Sequence, residues 1–113
     1  MIKNKEELKR ALDANELVFV HYYDPDDEQS KAFEYVVRTL EKTIDPRILM
    51  CKIDVKNFEG LDEVRRPPLL RVFYQGQVIF EQIGAFKSIE LNVKVLRRGI
   101  RSVFERMNIK YRV

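Results

Sequence analysis

The sequence is poor in cysteine, lacks tryptophan and has no long apolar run. Cys51 is the only cysteine among 113 residues, which excludes an intramolecular disulfide and a two-thiol redox cycle. No apolar stretch approaches the ~20 residues of a membrane-spanning helix, and the charged start of the chain has no signal-peptide core. These features predict a cytoplasmic protein that binds no membrane. The length predicts a single domain over residues 1–113 with one hydrophobic core.

Charge is abundant in the chain and unevenly placed. Charged residues make up 35% of the chain and hydrophobic residues 45%, proportions that predict a folded globular protein. Residues 24–34 hold five acids and one lysine, whereas residues 94–112 hold seven basic residues and one acid. This asymmetry indicates either a surface that steers charged partners or two ordinary solvated helix faces.

Hydrophobic periodicity and turn residues predict alternating helices and strands. Asn4 and Ser88 stand at N-cap positions, and Gly76 supplies the positive φ that a tight hairpin turn needs. The predicted helices cover residues 5–14, about 28–43 and about 89–107, and the predicted strands cover 17–23, 48–55, 69–74 and 77–83. A short first strand at 2–3 and one or two helical turns within 57–64 are further expectations. Helices between buried strands imply an α/β sandwich with a mixed sheet.

Three segments, taken with this order of elements, resemble the thioredoxin fold family. Residues 68–78 (PLLRVFYQGQV) resemble the family's PTLLLFKNGEV without a gap, and residues 51–55 (CKIDV) resemble its AKVDV strand. Gly84-Ala85 stands where the family has Gly-Ala before its last helix. The resemblance covers most of the chain. It implies a thioredoxin-like three-layer sandwich, in which helices flank a mixed central sheet of four to five strands.

The chain departs from this family at the position of the CxxC motif. Counted back from Lys31 without a gap, that position reads Asp27-Glu28-Gln29-Ser30. Disulfide exchange needs a thiolate that attacks sulfur and a second thiol that resolves the mixed disulfide. Asp27 and Ser30 supply neither group. The sequence therefore predicts a redox-inactive member that is not an enzyme, needs no cofactor or metal, and binds other proteins.

Two strand residues match the buried charges of this family only in part. His21 takes the place of the acid that serves the family's cysteines, and its imidazole is either hydrogen-bonded within the strand or active in proton transfer. Lys52 resembles the lysine that partners that acid. Asp54, on the same strand face as Lys52, is the predicted counter-charge.

A pair of prolines precedes the predicted hairpin. Pro68 resembles the family's cis-proline, which implies a cis Pro67–Pro68 bond and an adjacent site where an extended peptide pairs with the backbone. Pro67 has no N–H and therefore removes one donor for such a peptide. Its carbonyl remains, so Pro67 and Tyr23, the last residue of the first strand, are candidate partner-binding residues.

The last helix and the tail, residues 88–113, form an extended basic region. Apolar residues follow a heptad pattern along the helix, at Ile89, Val93, Leu96, Ile100, Val103 and Met107. About 19 helical residues span roughly 28 Å, more than a short strand covers. We therefore expect Phe104 and Met107 to project and to bind a partner protein or a second copy in a homodimer. The tail at 109–113 alternates apolar and basic residues, as an added strand or a disordered end would.

Two other functions compete with protein binding. Arg97, Arg98 and Arg101 on the basic helix are candidates for phosphate contacts, which makes nucleic-acid binding the alternative function. Asp24-Pro25-Asp26 resembles the opening of haloacid-dehalogenase-type phosphatases, where carboxylates hold Mg²⁺. The chain lacks the length and the later acidic pair of those enzymes, and the helix dipole explains acids at a helix start. The leading hypothesis is an adaptor, a chaperone-like binder or a subunit.

Overall fold

The computed structural model describes residues 1–58 and 69–113, and these residues form three helices and four strands in the order α-β-α-β-β-β-α. The helices are α1 (Lys5–Ala14), α2 (Glu28–Glu41) and α3 (Ile89–Arg106). The strands are β1 (Leu17–Tyr23), β2 (Leu49–Asp54), β3 (Leu70–Tyr74) and β4 (Gln77–Gln82). Each element begins and ends within two residues of its predicted bounds. The helical turns predicted within 57–64 lie mostly outside the described residues.

The strands form a mixed sheet in the order β2-β1-β3-β4. β1 is central, as its nearly continuous apolar sequence predicts, and it runs parallel to β2 and antiparallel to β3. β4 pairs antiparallel with β3 and is the last strand in that order. In place of the predicted short first strand, Ile2 forms an isolated parallel bridge with Ile53.

Helices cover both faces of this sheet. Successive residues of a strand point to opposite faces, so Val18 and Val20 pack toward α1, whereas Leu17 and Phe19 pack toward α2 and α3. The larger core cluster on the second face includes Phe33, Val36, Val37 and Leu40 of α2 and Val93, Leu96, Ile100 and Phe104 of α3. This arrangement confirms the predicted three-layer α/β sandwich with a mixed sheet.

The predicted helix caps and hairpin turn are confirmed. The side chains of Asn4 and Ser88 each accept a hydrogen bond from the backbone N–H three residues later, at 2.9 Å and 3.3 Å. In the β3–β4 turn Gly76 has a φ of 80°, and Gln75 also has a positive φ, of 51°. Two consecutive positive-φ residues are typical of a type I′ turn, whose twist matches that of the flanking strands.

The end of α3 differs from the prediction. Phe104 is only 3% exposed and packs in the core, so the prediction that it projects is wrong, whereas Met107 is 43% exposed. A straight helix repeats every 3.6 residues, so a stripe spaced by 3.5 drifts around it by ~20° per heptad. The buried face therefore passes from Ile100 to Phe104 and leaves Val103 half-buried. Self-association through this stripe stays a prediction, now without Phe104 as an exposed contact.

The chain turns back directly after α3. Asn108 takes the left-handed conformation, with a φ of 57°. The Ile109 N–H then donates a hydrogen bond to the Phe104 carbonyl at 2.8 Å. This is the pattern of a Schellman cap, in which an apolar residue beyond the turn packs against the last helical turn. Ile109 is buried in the same core cluster as Phe104, so the cap directs the tail toward the core.

The tail, residues 109–113, lies against the segment that follows α2. The Asp45 N–H donates a hydrogen bond to the Arg112 carbonyl at 2.7 Å, and Arg112 Nε donates to the Thr43 carbonyl at 3.0 Å. Val113 is buried in the core. Both expectations for the tail, an added strand and a disordered end, are therefore wrong, because its apolar residues complete the core of their own chain.

Candidate functional site

The N-cap and the first turn of α2 hold the residues predicted to replace a dithiol. Asp27 precedes α2, and its carboxylate accepts a hydrogen bond from the Gln29 N–H at 3.0 Å. Ser30 is buried, and its Oγ accepts a hydrogen bond from the Asp24 N–H at 2.8 Å. The Ser30 hydroxyl also donates to the Tyr22 carbonyl at 3.5 Å. Both side chains hold the turn to the start of the helix, and neither carries a thiol.

His21 lies beneath this turn, in the middle of the sheet. Its side chain is 2% exposed, and its ring centroid lies 6.0 Å from that of Tyr23 and 5.9 Å from that of Phe33. Burial, together with the positive charge of Lys52, lowers the pKa of His21 to about 4, so the imidazole is neutral at pH 7. Its Nε2 is buried without a hydrogen-bond partner among the described residues. One of the two expectations for His21 was an imidazole hydrogen-bonded within the strand, and at Nε2 this hydrogen bond is absent among the described residues.

Lys52 lies on β2 beside His21 of β1, and its counter-charge comes from α2. Its Nζ lies 2.5 Å from Glu34 Oε1 of α2 and 4.0 Å from the centroid of the Tyr23 ring. The hydrogen bond from Lys52 lowers the pKa of the Glu34 carboxyl. Asp54, the predicted counter-charge, instead accepts hydrogen bonds from the turn after β2. The prediction that Asp54 pairs with Lys52 is wrong. Glu34 was missed as the counter-charge because it lies on α2, whereas Lys52 lies on β2.

Four large apolar side chains are exposed on the segment between β4 and α3 and on the first turn of α3. Ile83 is 65% exposed, Phe86 47%, Leu91 44% and Ile89 43%. Ile89 lines a groove along α3, and we call the other three the loop surface. The segment touches the start of α2, since Gln29 Nε2 donates a hydrogen bond to the Ala85 carbonyl at 3.4 Å. The loop surface therefore borders the position where a dithiol was expected.

A buried asparagine holds the segment that carries the loop surface. Asn92 is 4% exposed, and its Oδ1 accepts a hydrogen bond from the Phe86 N–H at 2.9 Å. Its Nδ2 donates to the carbonyls of Phe86 at 2.7 Å and Ser88 at 2.8 Å. These three hydrogen bonds fix the backbone at Phe86, so the backbone that carries its exposed ring has a defined conformation. Sequence reasoning missed this surface, although Ile83 and Phe86 flank the Gly84-Ala85 pair that it singled out.

The remaining predicted site residues are scattered over the fold. Pro67 and Pro68, with the predicted cis bond, lie outside the described residues. Tyr23 is half-buried under Lys52, and Met107 lies at the opposite end of α3 from the loop surface. The three basic candidates, Arg97, Arg98 and Arg101, line the groove along α3, which has a volume of about 790 Å³.

Neither a metal-binding cluster nor a membrane-spanning helix occurs within the described residues. No group of three His, Cys, Asp or Glu side chains there is arranged to hold a metal ion. In residues 1–58 and 69–113, no helix is long and apolar enough to cross a membrane.

Solved structures with similar folds include thioredoxins. A mutant thioredoxin from Halobacterium salinarum matches with a TM-score of 0.61 at 21% identity, covering 87% of each chain. Oxidised thioredoxin from Plasmodium falciparum matches with a TM-score of 0.66 at 20% identity, covering 85% of this chain and 94% of that one. The Malassezia sympodialis thioredoxin gives 0.67 at 18% identity, over 89% and 88%. The chain has a thioredoxin-like fold. At these identities the likeness shows the fold alone.

Sequence comparisons add little to this thioredoxin-like fold. No family model matches the chain. The GTP-binding protein rho5 of Schizosaccharomyces pombe is 37% identical over 59 residues, which are 49% of this chain and 28% of that protein. The chain thus spans less than a third of that relative's length. It has no Gly-x4-Gly-Lys-Ser/Thr sequence, with which P-loop proteins hold phosphates, so the match carries no nucleotide site to this chain.

Proposed function

We propose that this protein is a non-redox binding module for other proteins, acting as an adaptor, a chaperone-like binder or a subunit. The observation that carries the proposal is the loop surface, where Ile83, Phe86 and Leu91 are each more than 40% exposed. These three large apolar side chains are exposed within nine residues of the chain, and exposed apolar surface of this kind is typical of sites that bind other proteins. The partner would be a segment that buries aliphatic or aromatic side chains against them.

The chemistry of the neighbouring turn supports binding over thiol exchange. With Cys51 as the only cysteine, the chain has no CxxC dithiol, and Cys51 lies on β2. Burial raises the pKa of the Cys51 thiol, which disfavours the thiolate that attacks a disulfide. We also propose that the protein acts in the cytoplasm. A chain with a single cysteine needs no oxidising compartment to fold, because it forms no intramolecular disulfide.

The acidic turn would set the charge preference of the partner. Asp26 is exposed and pairs with Lys56 at 3.0 Å, while Glu28 pairs with Lys31 at 3.3 Å. The attraction within an exposed ion pair of this kind is weak, about 1 kcal/mol or less. The carboxylates can therefore still interact with the charges of a partner. The acids beside the loop surface would therefore repel acidic segments and select neutral or basic apolar peptides.

Peptide selection tests this proposal and does not require the partner to be identified. A library of random 12-residue peptides displayed on phage is selected on the wild-type protein, and enriched peptides are titrated by fluorescence anisotropy. We expect peptides rich in aliphatic and aromatic residues. The double variant Ile83→Ser with Phe86→Ser should raise their Kd at least about 10-fold, because each large apolar side chain contributes ~1.5–3 kcal/mol when buried.

The matched control replaces two exposed apolar residues outside the loop surface. Val78 and Tyr35 are 43% and 58% exposed, so Val78→Ser with Tyr35→Ser removes comparable exposed apolar side chains. This control should change the Kd less than about twofold, since its sites do not contact the peptide. Selection that enriches no peptide, or equal losses in both double variants, would contradict the proposal.

A further inference from the structure

A long groove runs along α3 on the face that packs against α2. It has a volume of about 790 Å³ and is lined by Thr39 of α2 and by one face of α3 from Ile89 to Glu105. At 1.5 Å per residue, those 17 residues extend over roughly 24 Å. The groove therefore has the length of about four helical turns, and none of its lining residues belongs to the loop surface.

The groove combines an apolar end with a basic centre. Ile89 and Val93 line its first turn; Ile89 is 43% exposed, whereas Val93 is buried in the core, so Ile89 is the apolar contact open to a ligand there. Four cations follow within two turns of α3, at Lys94, Arg97, Arg98 and Arg101. Their long stems add apolar surface beneath their charged ends. A ligand on this surface meets hydrocarbon and positive charge together.

In the part of the chain that the structure describes, no acid forms an ion pair at 4.0 Å or less with a cation of the groove. Arg97 Nη2 donates a hydrogen bond to Thr43 Oγ1, and Arg97 Nε is buried with no acceptor among the described residues. Arg101 Nε donates to the Val113 carbonyl at 2.8 Å, a neutral acceptor. Within residues 1–58 and 69–113, neither Lys94 nor Arg98 forms an ion pair at 4.0 Å or less. The positive charge therefore remains available to an outside ligand.

We propose that this groove binds an acidic amphipathic helix of another protein. A helix laid along α3 would place its apolar face on Ile89 and on the hydrocarbon stems of the basic residues, and its carboxylates beside the four cations. Helix-in-groove recognition uses this combination of apolar anchors at helical spacing and flanking charge. The proposal goes beyond the proposed function, because it concerns a second surface with a partner of different chemistry.

The acids at both ends of the groove distinguish this partner from nucleic acid. Glu90 and Glu105 flank the four cations along the same face of α3. A nucleic-acid strand carries negative charge along its whole length, so it would meet like charge at both ends of the groove. A helical segment with its acids near the middle meets only the cations. Charge complementarity therefore favours the acidic helix.

The same charge pattern disfavours a second copy of this chain as the occupant. In an antiparallel pair of α3 helices centred on Arg97 and Arg98, Lys94 faces Arg101 and Glu90 faces Glu105. Like charges would then meet at the pairs Arg97–Arg98, Lys94–Arg101 and Glu90–Glu105, at a cost in free energy. The occupant is therefore a segment from a different protein.

The test uses a synthetic 18-residue peptide with leucines at i, i+3, i+4 and i+7 spacing and glutamates on both sides of the leucine stripe. Its affinity is measured by fluorescence anisotropy for wild type, for Lys94→Glu with Arg98→Glu, and for Lys5→Glu with Arg10→Glu. Both double variants change the net charge equally, and Lys5 and Arg10 lie on α1 across the sheet. We expect the groove variant to weaken binding at least about 10-fold and the α1 variant less than about twofold.

Two further probes separate the alternatives. A peptide of the same composition with its leucines scattered around the helix should bind at least about 10-fold more weakly, because it cannot present an apolar face. The variant Ile83→Ser with Phe86→Ser should leave the affinity unchanged, which separates this proposal from the loop surface. No binding of the 18-residue peptide at 1 mM, or equal losses in both charge variants, would overturn the proposal. So would tighter binding of an 18-nucleotide single strand, with a steep loss of affinity as salt rises.

Discussion

His21 should make the stability of the protein depend on pH in a window where few other groups titrate. It is the only histidine, and it is 2% exposed at the centre of the sheet. Lys52 lies in register with it on β2, and Glu34 of α2 pairs with that lysine. Burial and the charge of Lys52 lower the pKa of His21, and the charge of Glu34 opposes that shift without cancelling it.

The sign and size of the effect follow from proton linkage. The pKa of His21 is about 4 in the folded protein and 6.5 as its ordinary value, which we take for the unfolded chain. Between these values the unfolded chain binds a proton that the folded protein does not, so the free energy of unfolding falls as pH decreases. The stabilisation is complete above pH 6.5 and is lost toward pH 4. Between pH 7 and pH 5 the loss is about 2 kcal/mol.

Urea unfolding at pH 7, 6 and 5 measures this loss, followed by far-UV circular dichroism because the chain has no tryptophan. The matched variant is His21→Leu, which cannot titrate and removes a buried nitrogen that has no hydrogen-bond partner among the described residues. From pH 7 to pH 5, we expect the free energy of unfolding of wild type to fall by about 2 kcal/mol relative to that of the variant. Parallel profiles of the two proteins would refute a neutral, buried His21.

Two further predictions concern the end of α3. Phe104→Ala should lower the free energy of unfolding by about 3–5 kcal/mol, and Met107→Ala by less than about 1 kcal/mol, because only Phe104 is buried; equal losses in urea unfolding would contradict the drift of the buried face. At Asn108, whose φ is 57°, a valine should cost about 1–2 kcal/mol and a glycine should be tolerated. Thermal unfolding compares these two variants, and a valine as stable as the glycine would contradict the left-handed cap.

The elements of the fold were predictable because their signals are local. Asn4 and Ser88 cap helices within one turn of themselves, and Gly76 meets the requirement of a two-residue hairpin turn. The apolar run of β1 indicates a central strand without reference to any other part of the chain. Such features depend on neighbouring residues only, so periodicity and turn chemistry were sufficient to predict them.

The errors concern contacts between elements. The heptad pattern of α3 is compatible with two arrangements. Either the end of the apolar stripe projects, or the buried face of a straight helix drifts to Phe104. Only the packing of α3 against the sheet decides between them. The Lys52–Glu34 pair joins β2 to α2 across 18 positions, and no spacing rule predicts it. The loop surface was missed for the same reason, since exposure depends on which segments cover it.

The most direct test of the claim that this thioredoxin-like fold does not exchange thiols is a disulfide-reduction assay. Insulin reduction by dithiothreitol is followed by turbidity, with wild type, with Cys51→Ala and with buffer alone. Exchange requires an attacking thiolate and a resolving thiol, and the chain has one cysteine, whose thiol pKa is raised by burial. The prediction is that all three reactions proceed at the same rate. Catalysis by wild type above the rate with Cys51→Ala would contradict the claim.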